Sequence, residues 1–457
     1  MTSHAAAPTR ARLIWRRVVI GLAVFTLVLG GAAAAAYMKL NGNIESTTLP
    51  DSTIVKGDTP EGALNILFIG SDSRDLKTKK YGKGTGSQRS DALMLVHFSK
   101  GNTRVDAVQI PRDTLTELPA CSDTGSGSFA GGANLMINSA LEGGPACSVK
   151  AVERLSNVHI DHFVQLDFDG FASMVNALGG VNVCLTEPMV DVDAKLDLPA
   201  GKQRLDGTDA LALARTRHAV GDGSDIGRLG HQQVVMSSII SRARSAGVLT
   251  RPDRLFKFLN ALTSSITVDE GISSISKLTG LAKRAKAVKD SGITFITMPS
   301  AAAPTDPNRV VKTADADTIF SSIAKDDEVP VEGNDTDKKS TTRTTPVRIL
   351  NAAATEGLAT SAQASMTELG YTVSGLANAE EPADTTRIFV DSTPEAMATA
   401  RAINKDFGFK AKIVQQPDGM TGVWLILGSD RIEAGTDPVK PKPVKATTRK
   451  ANDSLCV

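Results

Sequence analysis

Arginine and aspartate recur together at four places in this chain, each beside an apolar run that has the length of a strand or the period of a helix. Leu64–Ile69 runs into Gly70-Ser71-Asp72-Ser73-Arg74. Arg89-Ser90-Asp91 immediately precedes Ala92–Phe98, and Thr103–Ile110 runs into Pro111-Arg112-Asp113. Further along, Arg215 and Arg217 close the helical pattern Thr208–Thr216. A turn, Gly221-Asp222-Gly223-Ser224, leads from there to Asp225, Arg228 and Gln232. Arg228 and Gln232 are four apart and share one face of a helix, while Asp225 stands near that helix's N-terminus, where a negative side chain is favoured. A guanidinium is a planar fork of donors that matches phosphate oxygens and stays charged at any working pH. Arg74, Arg89, Arg112, Arg215, Arg217 and Arg228 around one site have the chemistry to hold a pyrophosphate. Asp72 and Asp91 are the natural ligand pair for magnesium (or manganese), which takes one or two carboxylates and completes its shell with phosphate oxygens and water. An Arg/Asp site without an activated nucleophile suits phosphoryl transfer, where the protein supplies positioning and charge stabilisation. The competing reading, a set of structural salt bridges, is reasonable for any one pair and weak for four clusters at element ends.

Those clusters need elements to aim them. Leu64–Ile69, Ala92–Phe98, Thr103–Ile110, Phe163–Phe168 and Val181–Leu185 read as strands. Val149–Leu155, Phe171–Leu178, Thr208–Thr216 and Leu229–Ala246 read as helices. Strands interleaved with helices predict an α/β domain with a central mixed β-sheet flanked by helices, and ligands commonly bind at strand ends in such sheets. Helices near 252–264 and 272–288, a strand at Ile293–Met298 and a helix ending near Lys325 carry this domain over 61–328. Residues 329–345 have almost no apolar content and read as a linker. A small α/β sandwich follows at 346–432, and the proline- and lysine-bearing tail, 433–457, reads as disordered.

The N-terminus bounds the location. Val18–Met38 carries no charge, and about 20 apolar residues suffice to cross a bilayer. Arg10, Arg12, Arg16 and Arg17 precede the run, and Lys39 is the charge just after it. The positive-inside rule keeps 1–17 cytoplasmic and places the chain from 39 onward, through the connector 39–60, outside. Small residues at Ala32–Ala36 also permit a cleaved signal peptide, but the run exceeds the roughly 7–15 residues of a signal core, and both readings export the rest. With 51 Lys+Arg against 50 Asp+Glu the net charge is only +1, which argues against a nucleic-acid binder. Cys121 and Cys147 flank a loop rich in Gly, Ser and Asn; in an exported domain a disulfide there is plausible, with two buried thiols as the alternative. Cys184, inside an apolar run, reads as a buried core thiol, and Cys456 is open. Gly82–Gly86 lacks the spacing of a phosphate-binding P-loop.

With these motifs in this order, the chain resembles the LytR-CpsA-Psr family. Gly70–Arg74, Arg89–Asp91, Pro111–Asp113, Leu178–Val181 and the run Leu205–Gln233 carry the likeness, strongest over roughly 62–250. Residues 346–430 look like the small C-terminal domain of actinobacterial members. The resemblance implies a membrane-anchored enzyme that binds a polyprenyl-pyrophosphate lipid in an apolar groove. It further implies magnesium-assisted transfer of the attached glycopolymer, an arabinogalactan, teichoic acid or capsule-like polymer, onto peptidoglycan. It gives Asp72 and Asp91 to the metal, and Arg89, Arg112, Arg215, Arg217, Arg228 and Gln232 to the pyrophosphate. Arg74 and Asp225 are supporting members, and Asp113 orients neighbouring arginines. Asp91, Arg89, Arg217 and Asp225 form the catalytic set, with the general base left between Asp91 and Asp225. His231 stands where the family pattern has arginine, which implies a weaker or pH-dependent anion contact. The alternative function is a non-catalytic binder of the same lipid, acting as regulator or scaffold.

Overall fold

The computed structural model describes residues 10–49, 54–55, 57–71, 88–122, 128–216, 225–245, 251–331, 343, 345–416, 421–431, 444–453 and 456; within these, the side chains of 10–14, 16–17, 225–227 and 368 are not described. Helix α1, Arg10–Gly42, contains Val18–Gly42, a stretch long and apolar enough to cross a membrane. It runs past Met38, and the residues around its end join the folded domain. Leu40 is buried, and Asn43 donates to Asn260 Oδ1 at 3.2 Å.

The first unit comprises residues 1–327 and 447–457. Its strands begin with β1 (Glu45–Thr47), β2 (Leu64–Ser71), β3 (Ser90–Phe98) and β4 (Val105–Ile110). A hairpin, β5 (Leu115–Leu118) and β6 (Gly132–Met136), leads to helix α2 (Pro145–Ser156), β7 (His162–Asp167) and helix α3 (Phe168–Ala177). Four short strands follow: β8 (Val181–Leu185), β9 (Met189–Asp191), β10 (Leu196–Leu198) and β11 (Gly201–Leu205). Helices α4 (Gly207–Arg215) and α5 (Asp225–Arg244) come next, then β12 (Ile266–Asp269), β13 (Ile293–Thr297) and the hairpin β14 (Ser300–Ala303) and β15 (Asp306–Lys312).

The central sheet runs β1-β12-β7-β2-β3-β4-β13 with one further edge strand. β2 pairs parallel with β7 and antiparallel with β3, and β4 pairs antiparallel with β3 and parallel with β13. The sheet is therefore mixed. Its register sets the site, because Ser71 pairs with Ser90 and with Asp167, Leu93 pairs with Ile110, and Gln109 pairs with Thr297. The end of β2, the start of β3 and the ends of β4, β7 and β13 thus share one edge. Ile66, Leu67, Ile69, Leu93, Leu95 and Val108 are fully buried along these strands, each worth about 1.5–3 kcal/mol of transfer free energy.

The second unit, Glu328–Ala446, stands as its own body. Its sheet, in the order β17-β16-β20-β18-β19, is built from β16 (Val347–Asn351), β17 (Val373–Asn378), β18 (Arg387–Val390), β19 (Lys412–Gln415) and β20 (Val423–Leu427). Ile349, Ile388, Leu425 and Leu427 pack there with Met366 and Ile403 from its two helices.

Two expectations are corrected at the C-terminus. The tail read as disordered contributes β21 (Thr448–Lys450), which pairs antiparallel with β13 and completes the central sheet. Ala451 is buried and its N–H donates to Ile293 O at 3.0 Å. Composition hides this, because what orders three polar residues is an unpaired sheet edge more than 150 positions earlier. Cys184 is no core thiol but is disulfide-bonded to Cys456. Cys121 and Cys147 are bonded to each other.

Candidate functional site

Local sequence logic aims each arginine. Asp206 caps α4 by accepting from Thr208 N at 2.8 Å and Asp209 N at 3.0 Å, satisfying donors that a helix start leaves open. Gly207 follows because α3 passes so close that a Cβ there would lie 2.0 Å from Ala172 O. At the far end of α4, the Arg215 guanidinium carbon lies 4.7 Å from the centre of the Phe168 ring, a cation–π contact. From α5, Arg228 is buried and its Nη2 donates to Asp91 O at 3.4 Å. From the end of β4, Arg112 donates to the Asp91 carboxylate through Nη1. Asp113 lies 3.8 Å from Arg112 Nε and 3.3 Å from Arg309 Nη1, so it holds two arginines.

Two cavities meet at these residues. One, of about 140 Å³, is an apolar groove lined by Phe68, Met94, Val164, Leu166, Phe171 and Met236, among others, and reaches Asp91, Arg215 and Gln232. The other, of about 190 Å³, is a polar cup lined by Asp91, Arg112, Asp191, Asp193, Arg215, Arg228 and Gln232. Asp91, Ala214, Arg215 and Gln232 border both. An apolar slot beside a polar cup that presents Arg112, Arg215 and Arg228 together with Asp91, Asp191 and Asp193 suits an amphiphile whose polar head meets the cup.

Of the residues singled out in the sequence, Asp91, Arg112, Arg215, Arg228 and Gln232 converge here. Gln232 does so differently from expectation: its amide donates to Ala214 O at 3.0 Å and accepts from Gln109. Gln109 in turn accepts from Gln233 Nε2 at 3.2 Å, which also donates to Thr297 at 3.0 Å. Gln232 thus braces the end of α4. Arg89 borders neither cavity; its Nε meets Glu142 at 3.3 Å on the surface. Asp72, Arg74, Arg217 and the Gly82–Gly86 loop lie outside the described residues, and of Asp225 only its place at the start of α5 is described. His231 is buried and borders neither cavity, and burial pushes its pKa down to about 4. It is neutral at pH 7, which corrects the expectation of a pH-dependent anion contact.

Sequence reasoning missed Gln109, Asp191, Asp193 and Arg309. The alternation in Val190–Leu198 was the signal for the β9–β10 hairpin that carries the two aspartates; the amide chain left no sequence signal. Among the described residues no group of three or more His, Cys, Asp or Glu side chains is placed to hold a metal. Magnesium needs only one or two carboxylates once a pyrophosphate completes its shell, so Asp91, bordering both cavities, fits such an ion.

The chain is similar to known proteins over most of its length. It is 29% identical over 407 residues to the cell wall biosynthesis protein LcpA of Corynebacterium glutamicum, covering 80% of this chain and 77% of that one. It is 34% identical to the probable cell wall biosynthesis protein LcpB of the same organism, over 57% and 60%. It is 28% identical to the polyisoprenyl-teichoic acid–peptidoglycan teichoic acid transferase TagT of Bacillus subtilis, over 58% and 82%. Among solved structures, a LytR-Csp2A-Psr enzyme from Actinomyces oris superposes with a TM-score of 0.47 at 23% identity, covering 61% of this chain and 96% of that one. Residues 344–430 match the family model described as LytR cell envelope-related transcriptional attenuator. Residues 30–326, which hold the groove, the cup and every strand of the central sheet but β21, match the model of the LytR_cpsA_psr family, and the chain belongs to that family.

Proposed function

We propose that this protein is a phosphotransferase that moves a glycopolymer from a polyprenyl-pyrophosphate carrier onto peptidoglycan on the outer side of the membrane. The observation that carries the reading is the shared border of groove and cup at Asp91, Ala214, Arg215 and Gln232. The prenyl chain takes the apolar groove, and the pyrophosphate takes the cup against Arg112, Arg215 and Arg228. The relatives named as teichoic acid transferases support the same chemistry. An acceptor hydroxyl of peptidoglycan attacks the glycan-bearing phosphorus. The new P–O bond forms a phosphodiester, the P–O–P link breaks, the hydroxyl proton passes to Asp91 or Asp225 as general base, and polyprenyl phosphate leaves. With water as acceptor the same site is a lipid pyrophosphatase. The arginines take up the charge that builds on the phosphate oxygens, worth most where donors are fixed in advance. Asp91, with Asp72, would hold a magnesium ion, which supplies further neutralisation of pyrophosphate charge. The arginines N-terminal to Val18–Gly42 support an N-terminus inside and the two folded units outside.

The test is P–O–P cleavage of a polyprenyl-pyrophosphate-linked sugar by the detergent-solubilised full chain, with and without magnesium and peptidoglycan fragments. Magnesium-dependent cleavage and label transfer, lost in Asp91→Ala, support the enzyme. Tight lipid binding by wild type without turnover on several acceptors makes the protein a binder instead.

A further inference from the structure

The β9–β10 hairpin belongs to neither groove wall nor sheet, yet it supplies one side of the cup. Its anchor is Asp191, 4% exposed. Oδ1 of Asp191 accepts from Asp193 N and Ala194 N, both at 3.0 Å, which fixes the turn between the strands. Its other oxygen, Oδ2, accepts from the Thr216 hydroxyl at 2.5 Å. Thr216 is wholly buried, is the residue that ends α4, and follows Arg215 directly. At Thr216 the backbone turns from helical to extended, φ −60° and ψ 141°. One carboxylate therefore ties the cup's hairpin to the point where the Arg215 helix stops.

We infer that Asp191 and Thr216 form a latch that positions Arg215 and the Asp193-bearing turn on either side of the reacting pyrophosphate. This rests on the phosphotransferase reading above. Asp191 and Thr216 act as positioning residues: the described contacts of their carboxylate and hydroxyl are to each other and to backbone, and the effect argued for them reaches the substrate through Arg215. A buried carboxylate holding three donors is costly to leave unmatched, so the two segments keep one relative placement. A displacement of about 1 Å at a group like Arg215 is enough to lower turnover by about 100-fold.

The test compares Thr216→Val, which keeps the side chain's shape and removes the hydroxyl, with Thr216→Ser, which restores the hydroxyl, and with Asp191→Asn. A threonine hydroxyl can also accept, so Asp191→Asn can rebuild the contact with its direction reversed. In the full chain, kcat for P–O–P cleavage, KM for the lipid, binding of geranyl pyrophosphate by calorimetry and thermal midpoint are measured together. The latch predicts that Thr216→Val loses about 100-fold in kcat, with KM and geranyl pyrophosphate affinity within a few-fold of wild type; the midpoint falls as well, because Asp191 Oδ2 loses its donor in a buried site, so kcat is read well below every midpoint. Thr216→Ser recovers most of the loss, and Asp191→Asn falls between. Wild-type kcat in Thr216→Val overturns the latch, as does an equal loss in Thr216→Ser or a loss of kcat matched by an equal loss of geranyl pyrophosphate binding, the mark of an unfolded fraction. If wild type neither binds nor cleaves, the parent reading falls and takes the latch with it. If wild type works and Thr216→Val matches it, only the latch falls.

Discussion

The central sheet of the first unit and the five-stranded sheet of the second use arginine in different ways. In the second unit, Arg343, Arg348 and Arg431 lie over Tyr371, Trp424 and Phe409, at 5.1, 4.9 and 4.9 Å. Arg343 also meets Asp406 at 2.6 Å and donates to Leu369 O, and Arg431 meets Asp430 at 3.1 Å. Arg343 and Arg431 are absorbed into their own domain's packing, whereas Arg348 lies over its ring on the exposed face. In the first unit Arg215 sits over Phe168 in the same manner, yet its guanidinium borders two cavities. An arginine on an aromatic ring is therefore no mark of a site by itself. What separates the two sheets is the space left open beside the guanidinium, and the strand register that gathers several such groups at one edge.

The largest expected effect comes from testing that contrast directly. Arg215→Ala should lower lipid pyrophosphate cleavage by about 100- to 1,000-fold, the range for removing one preorganised donor, with little change in thermal midpoint. Arg343→Ala should do the reverse. It leaves the Asp406 carboxylate, 4% exposed, without its cation, which costs the second unit about 3 kcal/mol in chemical denaturation and leaves cleavage unchanged. Equal effects of both variants on cleavage would erase the distinction.

A second prediction concerns what the tail does for the first unit. Replacing Cys184 and Cys456 with serine together should cost about 2–4 kcal/mol of stability, seen as a lower thermal midpoint under non-reducing conditions. A midpoint unchanged from wild type would leave the tail as decoration. Removing residues 346–457 to test the second unit alone would also remove β21 and Cys456, so a loss of activity in that truncation would not indict the second unit.

The smallest effect separates a buried base from an anion ligand. His231 has a folded pKa of about 4, depressed by burial from an ordinary 6.5. The unfolded chain binds its proton first as pH falls, so the stability that this group contributes is present above pH 6.5 and is lost on descending toward 4. His97, also held low chiefly by burial, acts in the same direction. His231→Gln should flatten the fall in thermal midpoint between pH 6.5 and 4, by on the order of 1–2 kcal/mol at pH 5. An unchanged slope would show that His231 is not buried and neutral.

Much of the central sheet was legible because its strands are continuous apolar runs, such as Leu64–Ile69 and Ala92–Phe98, that end abruptly in charge. Arg112 was legible for the same reason, since a strand end limits where the residues just past it point, and Asp91 because it lies at the start of β3, where the pleat aims it. Arg89 was not, since a residue before a strand can turn either way and here it meets Glu142. The bracing contacts of Gln232 were not legible because its partners, Ala214 and Gln109, come from elements that nothing in its own neighbourhood indicates. The Cys184–Cys456 bond spans 272 positions, and no local pattern reports a pairing over that distance. β21 has three residues, too few for alternation to show.

That bond also changes what a protease can accomplish. The chain leaves the first unit after Asp327 and rejoins it at Thr447. A single cut anywhere in between severs the backbone, yet the two fragments stay covalently joined through Cys184 and Cys456. The nicked protein should migrate as one species on a non-reducing gel and separate into two only when a reductant is added. The second unit is thus joined to the first at both of its ends, and losing it takes two cuts, or one cut on its N-terminal side and two electrons.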